Sequence, residues 1–266
     1  TMLDSGENPS DGVPIYFYID KKIDEVSISI TDNKGNSVRD YSTSNNNIKI
    51  NTGANRFIWD MNYNNAVPGE AGSPPGPMAL PGDYNVELKI QRGKKETSLT
   101  GSIKLIKDPR TKAEDSELQE QFDLLTSINS RYSELSEHVK IVKTNQAEIS
   151  EWITRAESNK NYDVIKKAGD KVITALIDIE SSLIPSGENL RAKLTKPIVL
   201  ALKLTGLIPV INSTDFKPTD QSHSVFIEIK DEIDEVLEKL RYFQEVDLID
   251  FQELVEKNNI PRLNIN

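Results

Sequence analysis

The chain contains no cysteine and only two histidines in 266 residues. Without thiols it can build no disulfide framework, no thiolate metal site and no cysteine nucleophile. Nowhere does an apolar run reach the roughly eighteen residues that a membrane-spanning helix needs, so membrane insertion is not expected. Basic charge is also scarce: 32 Lys and Arg stand against 42 Asp and Glu, a net charge of −10. Nucleic acids and anionic lipid surfaces call for a basic footprint, so neither is expected as a partner.

The opening TMLDSGENPSDG lacks both a basic and an apolar leader region. Its Ser, Gly, Asn, Pro and Asp read as a linker over 1–12, with further chain and any targeting signal expected upstream.

What is present is two kinds of periodicity, in a chain long enough for two cored domains. Over residues 13–108 the period is two. Ile15, Phe17 and Ile19 alternate with Tyr16 and Tyr18, and Val26, Ile28 and Ile30 repeat the pattern. Asp32-Asn33-Lys34-Gly35-Asn36 then supplies a hairpin turn. Ile48 and Ile50 read as a further short strand, followed by Phe57 and Trp59 on one face. After a Pro/Gly-rich loop from Ala66 to Gly82, Tyr84, Val86, Leu88 and Ile90 alternate again and turn back into Leu99 to Leu105. About seven short strands at this spacing predict an antiparallel immunoglobulin-like β-sandwich.

Asp108-Pro109-Arg110 ends that domain, because a residue before proline is pushed out of the helical region. From Thr111, an expected N-cap with Glu114 completing a capping box, the period becomes helical. Leu118, Phe122, Leu125, Tyr132, Leu135, Val139, Val142, Ile149 and Ile153 form one seam to about Ser158. A second helix is expected from Tyr162 to Leu183, a third from Pro197 to Leu204 with Gly206 past its end, and a fourth opened by Thr219. A last short helix is expected to be capped by Asp247. Residues 111–266 therefore read as an up-and-down helical bundle, making the whole an α+β two-domain chain.

The chemistry-bearing residues are sparse. His138 and His223 lie on different helices, off the core seams, with no sequence-evident nucleophile or orienting group. Glu228, Asp231, Glu232, Asp234, Glu235 and Glu238 crowd one helix, mostly off its seam, whereas glycoside hydrolysis needs two acids opposed across a cleft. Asp32, Asn33 and Asn36 are oxygen donors that a calcium ion could use, but the loop is too short for an EF-hand and lacks its terminal glutamate. Gly6, Gly12, Gly69, Gly72 and Gly76 accompany no strand-to-helix switch with a following lysine, so they form no phosphate loop. No catalytic residue, metal ligand or cofactor is assigned. Trp59 and Tyr63 are possible ligand contacts, since either, exposed beside the Pro/Gly loop, would mark a carbohydrate-binding module. The alternation of Trp59 with Phe57 instead places it in the strand core with Val86 and Leu88.

Several stretches in order carry a family resemblance. Gly6-Glu7-Asn8-Pro9-Ser10-Asp11-Gly12 with Ile15 to Tyr18, Asn55-Arg56-Phe57-Ile58-Trp59-Asp60, and Pro74 to Tyr84 resemble the C-terminal region of large bacterial proteins with an N-terminal sortilin-like (VPS10/BNR-repeat) β-propeller. Asp108-Pro109-Arg110, Gln121 to Leu125 and Lys217 to Ser222 are similar to the same family's tail. Proteins of this kind are often labelled glycosyl hydrolases because of the propeller. The resemblance implies a non-catalytic accessory region of a secreted, periplasmic or cell-surface protein, with the propeller of the same chain as partner and protein or polysaccharide as further partners. It maps no catalytic residue onto this chain.

Overall fold

The computed structural model describes residues 11–45, 48–69, 72–185 and 198–260. Most of the expected 1–12 linker, Gly6 included, and the expected helix start at Pro197 lie outside the described residues. The chain is α+β with antiparallel strands, and it divides into two compact units. The first comprises residues up to Asn65, Pro75–Asp123 and Asp215–Lys217; the second comprises Ala66–Pro74, Leu124–Thr214 and residues from Pro218 onward. The units thus interleave in sequence, where periodicity alone places a single boundary at 108–111.

The sheet unit contains β1 (Val13–Ile19), β2 (Glu25–Asp32), β3 (Ser37–Ser42), β4 (Gly53–Trp59), β5 (Gly82–Arg92) and β6 (Lys95–Leu105). β1 pairs with β4, and a four-stranded sheet runs β3-β2-β5-β6. Period-two alternation turns Val26, Ile28 and Ile30 of β2 and Tyr84, Val86, Leu88 and Ile90 of β5 inward, where Ile19 of β1 and Trp59 of β4 join the same apolar cluster. The β2–β3 turn is held by the Asp32 carboxylate. It accepts the Lys34 and Asn36 backbone N–H at 2.9 and 2.8 Å and the Asn36 amide at 2.8 Å, and Gly35 takes the left-handed φ of +84°.

Six strands form rather than about seven among the described residues, because the stretch at Ile48 and Ile50 is not a strand. Ile48 is buried, but the Asn55 amide accepts from Asn51 N–H and donates to the Asn51 and Gly53 carbonyls. These local bonds take the place of a ladder.

The helical unit is built on α1 (Asp115–Arg155), α2 (Tyr162–Leu183), α3 (Leu200–Ile211), α4 (Asp220–Tyr242) and α5 (Leu248–Lys257). The seam residues from Leu125 to Ile149 are buried with Ile165, Leu176, Ile233 and Phe251 in one cluster. Three expected boundaries are corrected. Thr111 does not cap α1: its hydroxyl bonds Asp215 at 2.7 Å, while the Glu117 carboxylate accepts from Glu114 N–H at 2.8 Å, so the first turn is closed from the N3 side three residues on. α3 runs through Gly206 and Pro209, since Leu200, Leu204, Leu207, Ile208 and Ile211 bury one stripe whose packing outweighs a late proline. Asp247 makes no side-chain cap, because a π turn over Phe243–Asp247 carries α4 into α5. Thr219 caps α4 as expected, its side chain accepting from Ser222 N–H.

The Pro/Gly-rich stretch is also more specific than a loop. Ala66–Pro74 belongs to the helical unit, where Val67 N–H donates to Ser133 Oγ at 2.9 Å and the Tyr132 hydroxyl donates to the Gly72 carbonyl at 2.8 Å. A Cβ on Gly69 would stand 2.5 Å from Ser136 Oγ, so the backbone approaches α1 more closely than another residue allows.

Candidate functional site

Trp59 is enclosed and Tyr63 only partly exposed. Trp59 is completely buried, its indole N–H donates to the Asn62 carbonyl at 3.2 Å, and its ring meets Tyr84 edge-on at 5.4 Å. An indole enclosed in this way offers a sugar no face to stack on. Tyr63 is half-buried, with its ring edge-on to Phe122 at 4.9 Å. Its backbone carbonyl accepts from the Arg39 guanidinium at 2.5 Å.

Burial raises the phenol pKa of Tyr63 above its ordinary value and pushes that of Tyr41 up to about 12, with the Asp60 charge adding to the second shift. Tyr84, whose hydroxyl donates to the Leu80 carbonyl at 2.6 Å, is raised for the same reason. The Tyr41 and Tyr84 hydroxyls serve as structural donors, to Asp60 and Leu80.

The aromatic surface lies elsewhere, on the outer face of the β1–β4 pair. Tyr16 and Tyr18 are 69% and 70% exposed, and the register sets them opposite Arg56 and Ala54, with Pro14 opposite Ile58 at the end of the row. Its signal was present in the sequence: Ile15 and Phe17 alternate with Tyr16 and Tyr18, so a strand with aromatics on both faces must show one pair outward. Reading the alternation only for its core hides this.

Three acids of α4 are engaged with cations. Asp234 pairs with Arg131, whose buried guanidinium also reaches Glu134 at 2.7 Å and the Lys230 carbonyl at 3.2 Å. Glu232 pairs with Lys203 at 2.5 Å, and Glu238 with Arg241 at 3.4 Å. The His138 Nδ1 lies 2.8 Å from the Glu134 carbonyl one turn back along α1. His223 sits in the first turn of α4, its backbone N–H bonded to the capping Thr219 carbonyl at 3.2 Å. The Asp32 carboxylate is filled by the N–H groups of its own turn. Among the described residues, no cluster of His, Asp and Glu has the arrangement to hold a metal ion, and no helix is long and apolar enough to cross a membrane.

One groove of about 470 Å³ opens on the helical unit, between α2 and the π turn with α5. Val172, Phe251 and Leu254 are among its apolar lining, and Lys171, Asp247, Asp250, Glu253 and Lys257 form its charged part. Its acids come from a single helical run instead of facing one another, an arrangement suited to polar contact and not to paired acid–base chemistry. No protein-family signature, no curated protein and no solved structure matches the chain.

Proposed function

We propose that this chain is a non-catalytic accessory and interaction region of a secreted or periplasmic protein whose N-terminal part is a sortilin-like propeller. In this reading the sheet unit is an immunoglobulin-like sandwich and the helical unit an up-and-down bundle. The family resemblance supplies the context. The observation that carries the interaction reading is the outward row Tyr16, Tyr18 and Arg56, because Tyr and Arg are the residues by which protein interfaces most often gain their binding energy. The engagement of Asp234, Glu232 and Glu238 with cations agrees with a role other than acid–base chemistry.

The test joins two measurements. The separately produced N-terminal domain is expected to bind this chain, and Tyr16→Ser with Tyr18→Ser to weaken that binding at least tenfold while leaving the melting curve in place. Assays on aryl glycosides and polysaccharides are expected to give background. Turnover abolished by replacing Asp231 or Glu235 would overturn the reading in favour of a glycosidase. The same tyrosine pair favours a second reading, a carbohydrate-binding module. Retention on insoluble polysaccharide that is lost in the tyrosine variant would establish it instead.

A further inference from the structure

The two outer strands of the four-stranded sheet are not equivalent. β3 is six residues long, and its pairing with β2 carries a register shift at Ile30/Thr31, a device that blunts a free edge. β6 is eleven residues long, pairs with β5 in unbroken register, contains no proline, and is exposed from Lys95 to Ser102. Its outward backbone groups form an uninterrupted template for another strand.

The side chains of β6 restrict what that strand can be. Thr97, Leu99, Gly101, Ile103 and Leu105 share the face of Leu88 and Val86, so none of the inward positions beyond the hairpin carries a charge. Leu99 is 51% exposed on that face, and a Cβ on Gly101 would meet nothing within 4 Å. The opposite face carries Glu96, Ser98, Thr100, Ser102 and Lys104. Glu96 and Lys104 are equidistant from Thr100, and neither has an ion-pair partner among the described residues; Lys104 lies across from Asp83 in the β5 register without forming a bridge.

We infer that β6 pairs antiparallel with β6 of a second copy of this chain about a two-fold axis at Thr100, an inference independent of the reading above. In this register Glu96 of each copy stands opposite Lys104 of the other, so two cross-strand ion pairs form by symmetry. Leu99 of each copy stands opposite the open Gly101 position, which brings the two leucines together diagonally across the axis. Slipping by two residues in one direction sets Glu96 against Ser102, and in the other Lys104 against Ser98, so both ion pairs are lost. Slipping by one turns the apolar face against the polar one. The charges therefore favour this register over its neighbours, with Lys104 matched by the chain's own Glu96.

One strand seam is smaller than a standard interface, so the dimer is sought at about 100 μM protein. Sedimentation equilibrium of the full chain is expected to show a monomer–dimer equilibrium. Glu96→Lys alone, or Lys104→Glu alone, is expected to raise the dissociation constant about tenfold or more, because each places like charges opposite twice. An equimolar mixture of the two variants is expected to restore association, since one chain then presents Lys at both positions and the other Glu at both. A folding defect cannot produce that restoration. A monomer at every concentration, association insensitive to either reversal, or a mixture no tighter than its components would each overturn the inference.

Discussion

The sheet unit and the helical unit bury polar groups on different terms. In the sheet unit the enclosed aromatics give their donors to nearby backbone, as the Trp59 indole does to Asn62 and the Tyr84 hydroxyl to Leu80. In the helical unit, α1 carries the buried Arg131 and Asn145 among its seam residues, and both Asn145 Nδ2 and Trp152 Nε1 are enclosed with no hydrogen-bond partner among the described residues. A strand leaves its turns close to the core it feeds, so loop carbonyls are at hand. A helix consumes its own backbone groups internally and leaves a buried side chain to find a partner on another helix. In the sheet unit, where the Arg92 Nε is the one side-chain atom likewise enclosed without a partner among the described residues, stability depends mainly on apolar volume sealed by turns; in the helical unit it depends also on how a few polar side chains are matched.

The strongest challenge to the sheet side is Trp59→Ala. It removes the largest completely buried side chain of that unit and is expected to destabilise it by about 3–5 kcal/mol. Chemical denaturation followed by near-ultraviolet circular dichroism measures the loss. A variant as stable as its parent would show that the indole is not a core residue.

On the helical side, Arg131→Ala is expected to be next in size, at about 2–3 kcal/mol. It strips Asp234, Glu134 and the Lys230 carbonyl of their shared donor. The figure lies below that for a fully buried pair because both carboxylates remain in reach of water. Arg131→Met, which keeps the stem's packing, should recover part of it. Equal losses for Ala and Met would assign the whole effect to charge, and full recovery by Met would assign it to packing.

Each kind of feature leaves its own kind of signal in the sequence. Six of the strands, the Asp32–Asn36 turn, the α1 seam, the bounds of α2 and the Thr219 cap were readable, because alternation, heptad-like spacing and capping chemistry are local, whereas the Ile48–Ile50 stretch alternates without pairing. The end of α3 was not. Gly206 and Pro209 are stop signals taken alone, and only the burial of Leu207, Ile208 and Ile211 against other helices overrides them. The π turn leaves no local mark, since Asp247 before Leu248 looks like a cap whether or not the helix pauses there. The partnership of Ala66–Pro74 with Tyr132 and Ser133 spans about sixty residues of sequence and has no periodicity to announce it. For the surface, the alternation that revealed the core of β1 also placed Tyr16 and Tyr18 outside; what it lacked was a sign that the outer face remains uncovered.

Alkaline titration probes the same contrast with a smaller effect. Tyr41, Tyr63 and Tyr84 of the sheet unit all have phenol pKa values raised by burial, that of Tyr41 to about 12. A group whose folded pKa exceeds its unfolded value of about 10 contributes stability that is complete below pH 10 and is lost as pH rises toward the folded value. For the half-buried Tyr41 ring this amounts to about 1 kcal/mol after allowing for solvent screening. The helical unit has Tyr132 with a pKa raised in the same way. Between pH 10 and 12 the sheet signal is therefore expected to weaken before the helical signal at 222 nm. Simultaneous loss would show that the two units unfold as one.

The smallest effect has the opposite sign. Asn145 lies between Val142 and Ile149 on the buried side of α1, seven residues before Trp152, so it occupies a seam position ordinarily filled by an apolar residue. Its amide nitrogen gives up hydration without gaining a partner. Replacing an unsatisfied buried polar group by an apolar one of similar volume removes that penalty, and Asn145→Leu is expected to stabilise the helical unit by about 1 kcal/mol. A buried asparagine can also fix the register of packed helices. Two measurements separate these roles: the denaturation midpoint, which should rise, and the dispersion of amide NMR signals, which should remain that of one packed state. A higher midpoint with broadened signals would make Asn145 the residue that holds α1 in register, while a lower midpoint would show that its side-chain carbonyl makes a bond worth more than the unmatched nitrogen costs.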